Sequence, residues 1–178
     1  MKLNSLQDVF AEQLNDLRSA EQQLVAALPN MAKAATSDEL RQAFEEHLQE
    51  TRSHVERIDE VISTIGIATT GEECKGMKGL IEEGEEIISA HGDGMAKDAA
   101  LIAAAQRVEH YEIAGYGTVL ALADHLDLDE ATEGLGQTLN EEEMADKLLT
   151  KIATGGMFKS GINDRAAAGS SGTASQSA

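Results

Sequence analysis

The sequence has no tryptophan, one proline and one cysteine in 178 residues, and its aromatic residues are three Phe and two Tyr. A single proline, Pro29, leaves nearly the whole chain free to run in long helices, with a kink expected one turn before it. The lone Cys74 excludes an intramolecular disulfide framework, suits a reducing cytoplasm, and reads as a plain loop thiol. Period-two alternation of β-branched and aromatic residues is missing, which excludes a strand-built core. No apolar run approaches the roughly 20 residues of a membrane span. The opening "MKLNSLQDVF" lacks the apolar stretch of a secretory leader. Basic residues are scarce as well: 14 Lys and Arg face 32 Asp and Glu, a net charge of −18. Phosphate contacts need cations, so nucleic acid and anionic membrane surfaces are excluded as partners, whereas metal cations are attracted.

What remains is Ala, Leu, Ile and Val at helical spacing. Four long helices are expected, over roughly 5–35, 37–66, 94–126 and 129–155, with a shorter one near 75–90 in a glycine-rich connection. Thr36-Ser37-Asp38-Glu39 fits a capping box at the start of the second helix and Gly66 marks its end. Asp127 and Asp129 read as caps for the last. Short first and last turns imply two antiparallel hairpins and favour a chain folded on itself over a coiled coil. The long middle connection can cross the length of a bundle. The fold class is therefore all-α, a four-helix bundle with one long crossover, as in ferritin-like folds. Residues 1–156 form the helical domain. Residues 157–178, ending in "RAAAGSSGTASQSA", read as a flexible small and polar tail.

Placed on a helical wheel, each long helix carries acid in its apolar stripe. Glu142 and Asp146 fall among Leu135, Leu139, Leu149 and Ala153. Glu112 sits among Leu101, Ala105, Val108 and Val119, with Glu109 on the flank, and Glu21 lies among Leu14, Leu17, Leu24 and Leu28. The second helix puts His47 and His54 in the stripe and Glu50 at its edge. An isolated buried carboxylate costs on the order of several kcal/mol unless it is protonated, paired or metal-bound. Depth agrees across the four helices: Glu21, Glu50, Glu112 and Glu142 all lie about 21–24 Å from their turns at 1.5 Å per residue. Side chains converging at one height in oxygen-rich company with imidazole suit two iron or manganese ions. Glu21, Glu50, His54, Glu109, Glu112, Glu142 and Asp146 are the candidate ligands, with Glu112 and Glu142 the bridging pair. His47 reads as core or as support for a ligand. His110 points away from the stripe, and Tyr116 is placed to bond a site carboxylate. The "EEGEE" run at 82–86 reads as a solvated face.

The stretches "SAEQQL", "HLQETRSHVERID", "GLIEEGEEII", "DAALIAAAQRVEHYEIAGYGTV" and "QTLNEEEMADKL" resemble the YciF-like (YciE/YciF) branch of the ferritin-like superfamily. These are bacterial stress-associated proteins, and the likeness covers roughly residues 3–155. The resemblance implies a rubrerythrin-like bundle, usually a homodimer, with a di-metal site. By position, Glu21, Glu50, Glu109, Glu112 and Glu142 match the family's site carboxylates and Asp146 its acid on the last helix. His54 stands where relatives often carry Gln. The superfamily's Glu-x-x-His is missing, since Ser53 and Ala145 follow Glu50 and Glu142 at that spacing. The implied activity is binding of Fe(II) and its oxidation by O2 or peroxide. The competing expectation is a non-enzymatic structural or interaction dimer with a vestigial or merely structural metal site.

Overall fold

Helix α1 spans Leu6–Ala34, α2 Asp38–Ile65, α3 Lys75–Ser89, α4 Gly94–His125 and α5 Asp129–Thr154, in a computed structural model that describes residues 3–157 and 159–171. These bounds agree with the sequence expectation to within a residue. α1 starts on a capping box in which Ser5 Oγ accepts from Asp8 N while the Asp8 carboxylate accepts from Ser5 N. It runs through Pro29 without interruption. α2 ends at Gly66, whose φ of 75° is the left-handed conformation that glycine adopts without a side-chain clash. No helix among the described residues is long and apolar enough to cross a membrane.

Two expected caps are replaced. The Ser37 side chain makes no capping bond. The fully buried Asp98 of α4 instead accepts from Thr36 N at 2.8 Å and Ser37 N at 2.7 Å, tying the start of α2 to the neighbouring hairpin. α5 begins at Leu128 with no side-chain cap at all, and Asp127 takes a positive φ of 54° in the turn before it. Replacing Asp98 with alanine orphans two backbone donors, and is expected to cost about 1–3 kcal/mol. That is a fall in melting temperature of roughly 3–10 °C for a chain of this size. An unchanged thermal unfolding curve would show the cap to be dispensable.

The tail expected from residue 157 is structured in its first half. Gly155–Gly156 and Lys159–Ser160 (β1 and β2) pair as a small antiparallel hairpin, and α6 follows over Ile162–Ser171. Ile162 is 1% exposed and joins the core beside Leu149, Ile152 and Ala153. One buried isoleucine followed by alanines is enough to hold a turn of helix on the bundle, although the composition around it is small and polar. The expected disorder beyond residue 171 falls outside the described residues. Cys74 is also not a plain loop thiol. It is buried at the start of α3, its Sγ 3.1 Å from Asp16 Oδ2 and 3.0 Å from the Tyr111 hydroxyl, and it accepts from Met77 N. The acids of 82–86 do form an exposed face.

The core is in two parts. One contains Leu24, Leu28, Leu40, Phe44, Leu101 and Ile152, and the other Phe10, Leu14, Leu17, Ile58, Val119 and Leu135. Between them along all four long helices lie buried polar residues: Glu21, then His47, Thr51 and His54, then Glu109 and Glu112, then Thr138 and Glu142. The apolar layers supply the burial that stabilises the bundle, on the order of 1.5–3 kcal/mol per large side chain, and seal the polar layer above and below. Gly115 lets α1 approach α4 near this layer, since a Cβ there would lie 2.6 Å from Leu17 Cδ2.

Candidate metal centre

Four glutamates and two histidines meet in the polar layer. His47, Glu109, Glu112 and Glu142 form one group, and Glu21, His54 and Glu142 a second; within each, one ligand atom per residue lies within 4.8 Å of the others. Glu142 belongs to both. His47 Nε2 is 3.5 Å from Glu109 Oε1 and 3.7 Å from Glu142 Oε2. His54 Nδ1 is 2.9 Å from Glu142 Oε1 and 3.3 Å from Glu21 Oε1. The two rings stand 6.3 Å apart, centre to centre. Two turns of helix separate residues 47 and 54, which is why both imidazoles reach the same side of α2. The Tyr116 hydroxyl donates to Glu21 Oε1, as the wheel led one to expect.

Burial and like charge set the electrostatics. Burial, reinforced by the carboxylates of Glu21, Glu142 and Glu109, holds the Glu112 carboxyl well above its ordinary range. Burial lifts Glu109 strongly too, against the pull of His47, and lifts Glu21 against the pull of His54. For Glu142 burial acts upward as well, but His54 and His47 outweigh it and the net shift is down. Burial would depress both imidazoles. Instead Glu109, Glu50 and Glu142 push His47 up to about 10, and Glu142 and Glu21 push His54 up to about 10.

These residues fit metal ions on two grounds. Among the described residues, eight buried side-chain atoms have no hydrogen-bond partner, and all eight belong to this cluster: Glu21 Oε2, His47 Nε2, His54 Nδ1, Glu109 Oε2 and both oxygens of Glu112 and of Glu142. Each such atom costs about 1–3 kcal/mol if it stays unsatisfied. The donor set is carboxylate oxygen plus imidazole nitrogen, which suits iron, manganese or zinc. The four carboxylates carry four negative charges when ionised, the charge that two divalent ions balance.

The other two sequence candidates lie at the rim. Glu50 is nearly half exposed and touches the outer nitrogen of His47, Nδ1, at 3.4 Å. Its position on α2 is rotated by about 40–60° from the two histidines, which turns its carboxylate toward solvent. Asp146, one turn after Glu142, is rotated by about 40° toward α4. There it accepts from Gln106 Nε2 at 3.0 Å and lies 3.4 Å from the exposed His110. His47 moves the other way, from support to the middle of the cluster. Its signal in the sequence was the seven-residue spacing to His54.

Glu141 and Arg57 could not be read from the sequence at all. His54 Nε2 is 3.0 Å from Glu141 Oε2, and because a carboxylate only accepts, Nε2 donates and Nδ1 faces the centre. Arg57 holds Glu141 from the other side, Nη1 to Oε2 at 2.5 Å and Nη2 to Oε1 at 3.2 Å. Partial burial would raise the Glu141 carboxyl, but Arg57, Gln137 and His54 bring it down to about 2. Such outer partners fix ring orientation and ligand basicity. Glu141→Gln is therefore expected to lower metal affinity about 10–100-fold without unfolding the bundle. Competition with a chromophoric chelator measures this, and an unchanged constant would remove Glu141 from the site.

Comparisons with known proteins find relatives over most of the chain. A family described as a domain of unknown function (DUF892) matches residues 5–167. Protein YciF of Escherichia coli (strain K12) is 44% identical over 164 residues, covering 92% of this chain and 99% of that protein. The crystal structure of the E. coli stress protein YciF superposes with a TM-score of 0.82 at 45% identity, over 84% of this chain and 94% of that one. YcfI from Rhodopseudomonas palustris gives 0.82 at 39% identity, over 85% and 97%. A protein of Xanthomonas campestris at 16% identity, over 96% and 99% with a TM-score of 0.68, shares the fold.

Proposed function

The chain belongs to the DUF892 family, and from that membership and the buried centre we propose a di-metal carboxylate protein that takes two iron or manganese ions and serves in stress protection. The observation that carries the reading is that the eight partnerless buried side-chain atoms among the described residues all fall in six residues, with Glu142 shared between two ligand groups. The reaction class is oxidation of Fe(II) by O2 or a peroxide. Metal bound there would supply one-electron chemistry between divalent and trivalent states.

The chain's own residues set the conditions for it. Glu142 holds a position between the two groups. His47 and His54 each bring one nitrogen from α2, oriented from outside by Glu50 and by the Arg57–Glu141 pair. Tyr116 fixes one oxygen of Glu21, leaving the other for a ligand. The apolar layers above and below keep water from reaching the carboxylates along the bundle axis. The reading includes a homodimer and, at a charge of −18, no role for nucleic acid.

A non-enzymatic helical dimer is favoured where two protonated imidazoles facing Glu109, Glu21 and Glu142 partly pair the centre without any ion. Anaerobic titration with Fe(II) followed by metal analysis separates the two. The expected result is two ions per chain and a higher melting temperature, then O2 consumption in proportion to Fe(II). Protein that takes up neither Fe nor Mn, and whose melting temperature ignores both, would leave only the non-enzymatic reading.

A further inference from the structure

A cavity of about 470 Å3 opens between α2 and α5 and ends on the His47 side of the centre. Its size falls within the roughly 300–1,000 Å3 of small-molecule sites. Met144 and Leu148, 67% and 39% exposed, stand at its mouth on α5, two of the five large apolar side chains exposed among the described residues. Buried Phe44 and Leu149 continue the apolar wall. At its inner end are His47 and Glu109, 6% and 3% exposed, whose Nε2 and Oε2 have no hydrogen-bond partner. An apolar channel leading to buried, unsatisfied polar atoms is the shape of a site for a chain with a polar end.

The lining charges decide which polar end. No Lys or Arg lines the cavity, so an anionic head would meet the imidazole of His47 only beside the Glu109 carboxyl, 3.5 Å from it, and then the carboxylates of Glu46, Glu50 and Glu141. Those carboxylates are already engaged: Glu50 with His47, Glu141 with Arg57, and Glu46 with the amide of Gln42 at 2.7 Å. A cationic head would find Glu109 only beside the imidazole of His47, and otherwise the exposed Glu46, a contact worth little in water. The complementary head is uncharged.

We propose that this cavity binds an uncharged aliphatic molecule carrying one hydroxyl or hydroperoxyl end, with its chain along Met144 and Leu148 and its polar end against His47 and Glu109. The proposal rests on the di-metal reading for its meaning: of the two oxidants, the peroxide is the one that can carry such a chain. The binding itself does not need the metal.

The test uses 1-octanol as probe on the full chain, by calorimetry and NMR titration, with and without metal. The expected result is saturable binding in the metal-free protein, with octanoate and octylammonium each at least about tenfold weaker, and saturable but weaker octanol binding once metal shares His47 Nε2 and Glu109 Oε2. Ala145→Phe fills the cavity and is expected to weaken octanol at least about tenfold. Leu148→Gln, at the surface and safe for folding, weakens it less and keeps the test open if the first variant does not fold. Non-saturable octanol binding, tighter octanoate or octylammonium, or unchanged affinity in both variants would overturn the proposal. So would sedimentation showing a dimer that Leu148→Gln dissociates with no octanol site on either form, since a second copy would then be the occupant. Metal stoichiometry in the same samples keeps the readings apart. Octanol binding without metal uptake sinks the di-metal centre alone, and metal uptake without octanol binding sinks the cavity alone.

Discussion

Glu142→Gln is expected to abolish binding of both metal ions, whereas Glu21→Gln is expected to remove one. The asymmetry follows from geometry: Glu142 is common to the His47 and His54 groups, while Glu21 belongs only to the second. Each ion present at a hundred times its dissociation constant adds about 2.7 kcal/mol to the folded state. Loss of both therefore removes on the order of 10–20 °C of metal-dependent melting temperature. Glu142→Gln has a second effect in the metal-free protein, because it withdraws the carboxylate facing His54 Nδ1 at 2.9 Å and His47 Nε2 at 3.7 Å. Breaking a buried charge pair in this way costs about 3–5 kcal/mol. The informative quantity is thus the difference between metal-free and metal-loaded melts of the same variant, alongside metal analysis. Two ions retained by Glu142→Gln, or one ion lost equally by either variant, would mean that the two ligand groups do not share this residue.

The part of this centre legible in the sequence was the part that a helical wheel resolves. Glu21, Glu112 and Glu142 each sit in the middle of a clean apolar stripe, and a stripe a hundred degrees wide has only one way to face its core. The structure buries all three completely. Glu50 had the right depth and Asp146 a place in the stripe, but both stand at the wrong angle. An offset of 40–60° is within the uncertainty of a stripe's edge, and only the packing of α2 against α5 and of α5 against α4 decides it. His47 failed in the opposite sense. Histidine among Phe44, Leu48 and Thr51 reads as a core residue until the facing glutamates of α4 and α5 are in place. The Arg57–Glu141 brace joins residues 84 apart, and neither stands out in a chain this rich in surface charge. The helix over Ile162–Ser171 was hidden by composition, because the one large apolar side chain it buries among the described residues is Ile162.

Raising the pH is expected to weaken the metal-free protein and to strengthen its hold on metal. His47 and His54 are held near 10 in the fold against an unfolded value of 6.5, so their contribution to stability is complete below pH 6.5. It is lost as the pH rises through 10. Glu112, Glu109 and Glu21, raised by burial above 4.5, act in the same direction: what they contribute is present below pH 4.5 and is lost as the pH climbs through their folded values. Glu142 and Glu141 are lowered and run the other way. Their contribution is present above pH 4.5 and disappears only as the pH falls. Between pH 6.5 and 10 the loss from the imidazoles is therefore not offset, and the melting temperature in excess chelator should fall steadily. Metal reverses the sign, because an ion and a proton compete for the same buried atoms. Four carboxylates accept two divalent ions with no residual charge, and the protons that occupied the site must leave. Each proton released per ion raises log affinity by one for each pH unit. Melting curves in chelator and in Mn(II) across pH 6.5–9 should diverge as the pH rises, with proton release visible in weakly buffered solution during the titration. Parallel curves, or metal binding without proton release, would mean that the ions sit at the exposed carboxylates of the surface and not among these six residues.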